Sequence, residues 1–128
     1  MIGQTVSNLD QSTCQAKECT LGNAVTDAML YARLAVGAAV DGAIHNSGGI
    51  RGSIPAPNVT QGMLVTAFPF SNGVVDIKMT GRELWDLFEG VASKVNVAGK
   101  VSSHTVDDVS PDLCKADYPV LVPVLIRP

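Results

Sequence analysis

The segment best suited to bind a small anion is Asn46-Ser47-Gly48-Gly49-Ile50-Arg51-Gly52. Paired glycines let backbone N–H groups approach a ligand with no side chain in the way. The Arg51 guanidinium offers a planar fork for phosphate or carboxylate, and the Asn46 amide offers both a donor and an acceptor. The segment is therefore a candidate binding site for an oxyanion or a nucleotide. Because glycine-rich turns are common, its residues alone favour the alternative, a structural turn with a surface arginine.

A second candidate is the aromatic segment Phe68-Pro69-Phe70. The chain has three Phe residues, and two of them flank this proline in a predicted loop. A rigid loop aromatic can stack on a nucleobase. Ordinary core packing is the alternative, and it is favoured for a single Phe taken by itself.

Other catalytic patterns are missing from the sequence. It contains neither a Walker phosphate-binding loop nor a Gly-Xaa-Ser-Xaa-Gly nucleophile elbow. The two histidines, His45 and His104, have no spacing to other ligands that predicts a metal site. His104 near Asp107 and Asp108 is typical of a solvated charge cluster. We therefore expect no metal site, no resident cofactor and no catalytic residue in this chain.

Composition excludes several classes of protein. The chain has 128 residues, 46% of them apolar, which predicts one folded domain. The net charge is −3 and the basic residues form no cluster, which argues against nucleic-acid binding. The longest apolar run, 118–126, contains two prolines and is too short to span a bilayer. The first residues lack the basic and apolar regions of a signal peptide.

Two features nevertheless favour an extracellular or cell-surface setting for a full-length parent. Cys14 and Cys19 are close enough to form a small disulfide loop, which leaves Cys114 unpaired. Asn58-Val59-Thr60 is a sequon for N-glycosylation. A secreted parent would then have lost its N-terminus, or this chain is a fragment of it.

A helix and a strand are expected to position the glycine-rich segment. The helix runs from about Leu21 to Val36, and Gly37 is a stop signal for it. Its apolar residues recur at 4-3-4-3 spacing, at Leu21, Val25, Ala28, Ala32 and Ala35. A short buried strand, Val40–His45, then leads into the glycines.

The rest of the sequence predicts further helices and strands. A short helix is expected over Thr60–Thr66, and alternating residues indicate a half-buried strand over Val74–Met79. Thr80-Gly81-Arg82-Glu83 fits a capping box that begins a helix from Gly81 to about Lys94. Val120–Ile126 is predicted to be a strand that its prolines restrict to a sheet edge. This mixture predicts an α+β fold, a mixed sheet with packed helices.

Four segments, in order, resemble the C-terminal domain of the 5′-nucleotidase family. They are Cys19-Thr20-Leu21-Gly22-Asn23 running into Asp27-Ala28-Met29, the Asn46–Arg51 loop, Phe68-Pro69-Phe70, and the Thr80-Gly81-Xaa-Glu83-Leu84 helix start. The Asn-Xaa-Gly-Gly-Ile-Arg element with a downstream Pro-Phe is the specific part. The resemblance implies a truncated version of that domain over residues 1–95, followed by a divergent tail over 96–128.

Members of that family are two-domain hydrolases of nucleoside 5′-monophosphates. An N-terminal domain holds two divalent, zinc-like metal ions that activate water, and the C-terminal domain binds the nucleoside. The resemblance implies that Asn46 and Arg51, with Gly48 and Gly49 between them, contact a nucleotide such as AMP. It also implies that Phe70 stacks on one face of the base.

The disulfide loop shows one likeness and two departures. Vertebrate ecto-5′-nucleotidases have the same Cys-Xaa4-Cys spacing and close this loop, which supports a bond between Cys14 and Cys19. Those relatives place a substrate-contacting Arg after the first Cys, where this chain has Gln15, and the nearby cation that could substitute for it is Lys17. The second stacking Phe and a ribose-binding Asp come from a later segment, ending in a Gly-Gly-Asp-Gly type motif, which this chain does not contain.

Three interpretations follow from the sequence. The chain is the nucleotide-binding part of a 5′-nucleotidase whose catalytic metal domain is absent, so that it hydrolyses nothing by itself. Alternatively, it is a stand-alone module that binds nucleotides or another protein without catalysis. The third interpretation is an inactive truncated product.

Overall fold

The computed structural model describes residues 1–93, 105–107 and 120–126 of the chain. The helices and strands within these residues are, in chain order, β1 (Gly3–Gln4), α1 (Thr20–Ala35), β2 (Ala43–His45), β3 (Asn58–Val59), α2 (Gln61–Ala67), β4 (Gly73–Met79), α3 (Gly81–Ala92), β5 (Thr105–Asp107) and β6 (Val120–Ile126). The predicted α+β fold class is confirmed. β5 and β6 are the described parts of the predicted tail, residues 96–128.

Four strands form a mixed sheet in the order β4-β6-β2-β5. Strand β6 is antiparallel to β4 and parallel to β2, so it lies inside the sheet. The prediction that its prolines confine it to an edge is therefore wrong. Pro123 lacks a backbone N–H, but a strand residue directs that group toward only one neighbour. β6 and β2 share a single register pair, Ile44 with Val124, so this side of β6 needs few donors.

Helices cover both faces of β2, which explains why all three of its residues are buried. Ile44 packs with Leu84 of α3 and with Val124 of β6. Successive side chains of a strand point to opposite faces, so Ala43 and His45 point away from α3. Helix α1 lies against β2 and supplies the cover on that second face.

A two-pronged ion pair joins α1 to the outer strand of the sheet. Arg33 Nε donates to Asp76 Oδ1 of β4 at 3.0 Å, and Nη2 donates to Oδ2. Both side chains are partly exposed, so the pair contributes geometry more than stability. It orients α1 across the sheet, which fixes where the helix meets the end of β2.

The buried face of α1 differs from the predicted apolar stripe. Leu21 is buried as expected, but Ala28, Ala32 and Ala35 are not buried. Fully buried instead is Thr26, whose hydroxyl donates to the Gly22 carbonyl at 3.1 Å. A satisfied hydroxyl costs little to bury, and a methyl group loses little when exposed, so periodicity alone misplaces this face.

Both helix boundaries marked by local signals agree with the sequence. Helix α1 ends as predicted before Gly37. The φ angle of Gly37 is 82°, a left-handed conformation that glycine adopts without strain. The capping box of α3 is confirmed, because Thr80 N donates to Glu83 Oε2 at 2.7 Å and Glu83 N donates to Thr80 Oγ1 at 3.2 Å. The helix ends at Ala92, slightly earlier than predicted.

A second core lies under the glycine-rich segment, beside the two-stranded β1–β3 pair. Its buried members are Cys14, Cys19, Leu21, Ile50, Ile54 and Ala67. The predicted disulfide between Cys14 and Cys19 is confirmed, with 4.9 Å between their Cα atoms. Cys114 lies outside the described residues. Among the helices described, none combines the length and apolar character needed to cross a membrane.

Candidate functional site

The glycine-rich segment leaves the end of β2 as a tight turn fixed at both sides. Gly49 N donates to the Asn46 carbonyl at 2.9 Å, which closes a single 3-10 turn over Ser47–Gly49. Ile50 follows with 1% exposure and anchors the turn in the second core. Arg51 N then donates to the Ala67 carbonyl at 2.8 Å, which ties the segment to the end of α2.

Gly49 is required by crowding from the side chains of the site itself. A Cβ atom at this position would lie 2.8 Å from His45 Cε1 and 3.0 Å from Asn46 Oδ1. The ring cannot retreat easily, because His45 is 2% exposed. The glycine thus lets these two side chains close around the turn, a reason additional to the backbone access predicted from sequence.

A cavity of about 250 Å³ lies beside the turn. Its wall is formed by Val25, His45, Gly49, Phe68, Phe70 and Asn72. Two of the predicted site residues, Gly49 and Phe70, belong to this wall. The other three, Asn46, Gly48 and Arg51, lie in the adjoining turn but not in the wall.

The two aromatic residues of the Phe-Pro-Phe segment have different environments. Phe68 packs against the second core and meets the His45 ring edge-on, with centroids 5.9 Å apart and planes at 70°. Phe70 is 36% exposed and lines the cavity. The sequence left core packing and ligand contact as alternatives. Phe68 packs against the core, and the position of Phe70 in the cavity wall supports Phe70 as the ring that would stack on a base.

Asn72 was not singled out in the sequence and is a further residue of the cavity wall. It lines the cavity, and its buried Oδ1 has no hydrogen-bond partner within the described residues. A buried acceptor left unpaired is costly, so a donor on a ligand would be stabilising there. The available signal was its place two residues after Phe70, in the same loop.

His45 was also missed as a site residue, because its spacing fits no metal motif. Its Nδ1 lies 2.8 Å from the Asn46 carbonyl. A carbonyl only accepts, so Nδ1 carries the proton of this bond. Burial lowers the pKa of His45, and the bond to Asn46 opposes that shift. The imidazole is therefore neutral at pH 7.

Arg51 presents the positive charge of the site. Its side chain is exposed, and its Nη1 donates to the Gly48 carbonyl at 3.5 Å. No carboxylate of the described residues forms an ion pair with it. The guanidinium therefore keeps donors for an anionic ligand. Nowhere in the described parts of the chain do three His, Cys, Asp or Glu side chains group to hold a metal ion.

Comparison with known proteins identifies related sequences. A profile of the family described as 5′-nucleotidase, C-terminal domain, matches residues 1–114. An apyrase from Tabanus yao is 30% identical over 96 residues, covering 71% of this chain and 17% of that protein. A 5′-nucleotidase from Vibrio vulnificus (strain CMCP6) is 44% identical over 57 residues, covering 44% and 10%. This chain thus spans a small part of the curated relatives that it matches.

A solved structure shows the same fold. The crystal structure of a 5′-nucleotidase precursor from Thermus thermophilus superposes with a TM-score of 0.73. The match covers 97% of this chain and 29% of that chain, at 24% sequence identity. The arrangement of helices and sheet described above therefore occurs within a larger protein.

Proposed function

The chain belongs to the family of 5′-nucleotidase C-terminal domains, and from that membership we propose that it is the nucleotide-binding part of a hydrolase of nucleoside 5′-monophosphates. The products of that hydrolase would be a nucleoside and phosphate, and AMP is the substrate we would test first. Hydrolysis itself would require a catalytic domain, which would hold the divalent metal ions. The residues of this chain would bind and orient the nucleotide.

The observation that carries the proposal is the cavity beside the Asn46–Arg51 turn. A nucleotide needs an aromatic surface for its base and a cation for its phosphate. Phe70 offers the first in the cavity wall, and Arg51 offers the second in the adjoining turn. The cavity, about 250 Å³, is below the roughly 300–1,000 Å³ of sites that bury a drug-sized ligand. This size supports burial of the base alone.

Asn46, Gly48 and Gly49 complete the proposed site from the turn. Gly49 lets His45 and Asn46 approach the turn closely, and Asn46 would offer its amide to the ligand. Gly48 adds no side chain to the turn. The resemblance to vertebrate ecto-5′-nucleotidases implies that Gln15 replaces a cation of those proteins, so the phosphate would depend mainly on Arg51.

The proposed affinity for AMP is low. Each stack between a base and an aromatic ring contributes about 1–3 kcal/mol, and Phe70 supplies one face only. Loss of the second face costs on the order of tenfold to a hundredfold in affinity. We expect a dissociation constant of about a millimolar or weaker, equivalent to roughly 4 kcal/mol.

We also propose a secreted or cell-surface parent. The Cys14–Cys19 disulfide supports an oxidising compartment. The sequon residue Asn58 is exposed in β3, where a glycan would meet solvent. Mass analysis of the chain produced in a eukaryotic secretory system would detect a glycan at Asn58, and unmodified Asn58 would contradict this part.

Titration with AMP, adenosine and inorganic phosphate, followed by amide chemical shifts in NMR, tests the proposed site. AMP should shift the resonances of Asn46, Arg51 and Phe70. Adenosine should move mainly the cavity residues, and phosphate mainly the turn. Shifts confined to surfaces away from the turn and the cavity would show that the site lies elsewhere.

Two substitutions with matched controls sharpen this test. Arg51→Ala should weaken binding of AMP and of phosphate, whereas Arg82→Ala on the exposed side of α3 should not. Phe70→Ala should weaken binding of AMP and adenosine, and His104→Ala should leave both unchanged. Equal losses of affinity in Arg51→Ala and Arg82→Ala would show that Arg51 acts only through the net charge of the chain and does not contact the ligand.

A further inference from the structure

His45 stands at the junction between the sheet, the turn and the cavity. It is the last residue of β2 and is 2% exposed. It touches the Asn46 carbonyl through Nδ1, meets the edge of Phe68 and crowds Gly49 through Cε1. The two strand residues before it are apolar. A polar ring at such a buried position costs stability unless its polar atoms are paired.

The second ring nitrogen, Nε2, is the atom left over. With the proton on Nδ1, the neutral ring carries a lone pair on Nε2. No described residue forms a hydrogen bond with Nε2. Cε1, which separates the two nitrogens, borders the space that a side chain at Gly49 would fill, and both residues line the cavity. The close approach of Gly49 therefore packs this edge of the ring against the turn within the cavity wall.

We propose that His45 is a ligand-contact residue whose Nε2 accepts a hydrogen bond from an N–H or O–H group of the bound nucleoside. The inference rests on the proposed function and adds a residue and a chemical selectivity to it. Asn72 Oδ1 is a second acceptor without a described partner in the same wall. Two acceptors favour a ligand edge rich in donors, such as an amino group or ribose hydroxyls. They disfavour an edge of carbonyl oxygens.

The hydrogen bond to the Asn46 carbonyl makes His45 selective for ligand groups that donate a hydrogen bond. Because the carbonyl holds the proton on Nδ1, Nε2 is an acceptor and does not switch to a donor while the ring is neutral. The same bond places the ring against the residue that begins the turn. Ligand contact at Nε2 and the shape of the turn are thus connected through a single side chain.

The direct test observes the imidazole nitrogens in the intact chain by long-range 1H–15N NMR at pH 8, with AMP as the probe. His45 should show a protonated Nδ1 and an unprotonated Nε2. Addition of AMP should shift the Nε2 resonance in the direction of hydrogen-bond acceptance. Inorganic phosphate should leave Nε2 unmoved, and His104 provides an internal reference.

Two outcomes separate failure of this inference from failure of the proposed function. If AMP shifts Phe70 and Arg51 but leaves His45 Nε2 unmoved, the site stands and the role of His45 is overturned. A proton found on Nε2 would overturn it as well. If AMP moves no resonance of the turn or the cavity, the proposed function fails, and this inference fails with it.

A pair of substitutions tests the role without relying on the imidazole signals. A Gln side chain can place its amide near the Nε2 position, whereas Asn reaches only the Nδ1 position. His45→Gln should retain AMP affinity within roughly threefold, and His45→Asn should lose roughly tenfold. Amide spectra would first confirm that both variants fold. Equal losses in two folded variants would indicate a structural role alone and overturn the proposal.

Discussion

Single residues of the proposed site are held in place by contact with one another. Gly49 brings His45 Cε1 and Asn46 Oδ1 closer to the turn than any side chain at that position would allow. Ile50, next along the chain, is buried and fixes the turn from beneath. Contacts within the chain therefore preorganise the proposed site, which would lower the entropy cost of binding a nucleotide.

Replacing Gly49 should damage stability and binding together. In Gly49→Ala the new methyl group must displace the His45 ring or the Asn46 amide, which costs about 1–3 kcal/mol. The free energy of unfolding in urea measures this, and AMP titration measures the site. The control is Gly90→Ala in α3, where a methyl group meets open space and should stabilise by about 0.5–1 kcal/mol. A Gly49→Ala variant with unchanged stability and binding would refute the steric argument.

Protonation of His45 should make stability depend on pH. Its pKa in the folded chain lies below the ordinary 6.5, so the unfolded chain takes up the proton first as pH falls. Stability should be full above about pH 6.5 and decline as pH drops below that value. Urea unfolding between pH 8 and pH 5 measures the decline. The slope should be smaller in His45→Asn and retained in His104→Ala.

Charged neighbours do not offset this effect within the described residues. Arg33 of α1 and Asp76 of β4 are paired with each other, and Arg51 turns to the Gly48 carbonyl. The pKa of His45 is shifted by burial and by the Asn46 bond, with no contribution from a charged group. The lowered pKa of Glu83 acts at more acidic pH, below its ordinary 4.5, so it lies outside this window.

Among the elements, α1 and α3 differ in how much of each the sequence predicts. The start of α3 depends on Thr80 and Glu83, which interact within one helical turn and form a local signal. The buried face of α1 depends on what the sheet places against it, which periodicity does not contain. Thr26 illustrates this. Its hydroxyl group forms a hydrogen bond within the helix, so this polar residue can be buried at little cost.

The same distinction applies to the sheet and to the site. The prediction that β6 lies at a sheet edge considered Pro123 within its own strand only. The stability cost of the missing N–H depends on which neighbouring strand would have accepted a hydrogen bond from it. The Asn46–Arg51 turn was predicted as a binding segment because its residues are contiguous. His45 and Asn72 were not singled out, because His45 fits no metal-ligand spacing and because only the folded chain shows that both side chains line the cavity.

Removal of the α3 cap should destabilise the chain measurably. Thr80→Ala deletes the hydroxyl that accepts from Glu83 N, and N-cap losses of this kind cost about 1 kcal/mol. The urea midpoint would report it. Arg82→Ala, on the exposed face of the same first turn, should leave the midpoint unchanged. A neutral Thr80→Ala would mean that the cap is replaced by solvent.

The disulfide should contribute both a chain constraint and a helix cap. Closing the loop between Cys14 and Cys19 is worth about 2 kcal/mol, and Cys19 Sγ also accepts from Gly22 N at 3.2 Å. Cys14→Ala with Cys19→Ser should lose the first contribution only, because a serine hydroxyl can cap. Cys14→Ala with Cys19→Ala should lose about 1 kcal/mol more. Cys114→Ser, the control, should leave stability and the Cys14–Cys19 bond intact.

At the scale of the whole molecule, we expect binding without catalysis. The proposed function assigns hydrolysis to a separate catalytic domain and assigns only nucleotide binding to this chain. Purified chain should therefore release no phosphate from AMP above background, with or without added Zn²⁺. Chelator-sensitive release, reproduced in an independent preparation, would contradict this.

The interior position of β6 has a consequence for how the chain is made. β6 comes late in the chain yet lies between β4 and β2, which are separated by it and do not pair with each other. While the chain emerges from the ribosome, β2 and β4 are synthesised before β6. The backbone groups that each of them pairs with β6 therefore have no partner until β6 has been translated. Such open edges are templates for other chains, and distant pairings form slowly. Synthesis of this fold therefore includes an interval of aggregation risk that ends when β6 inserts.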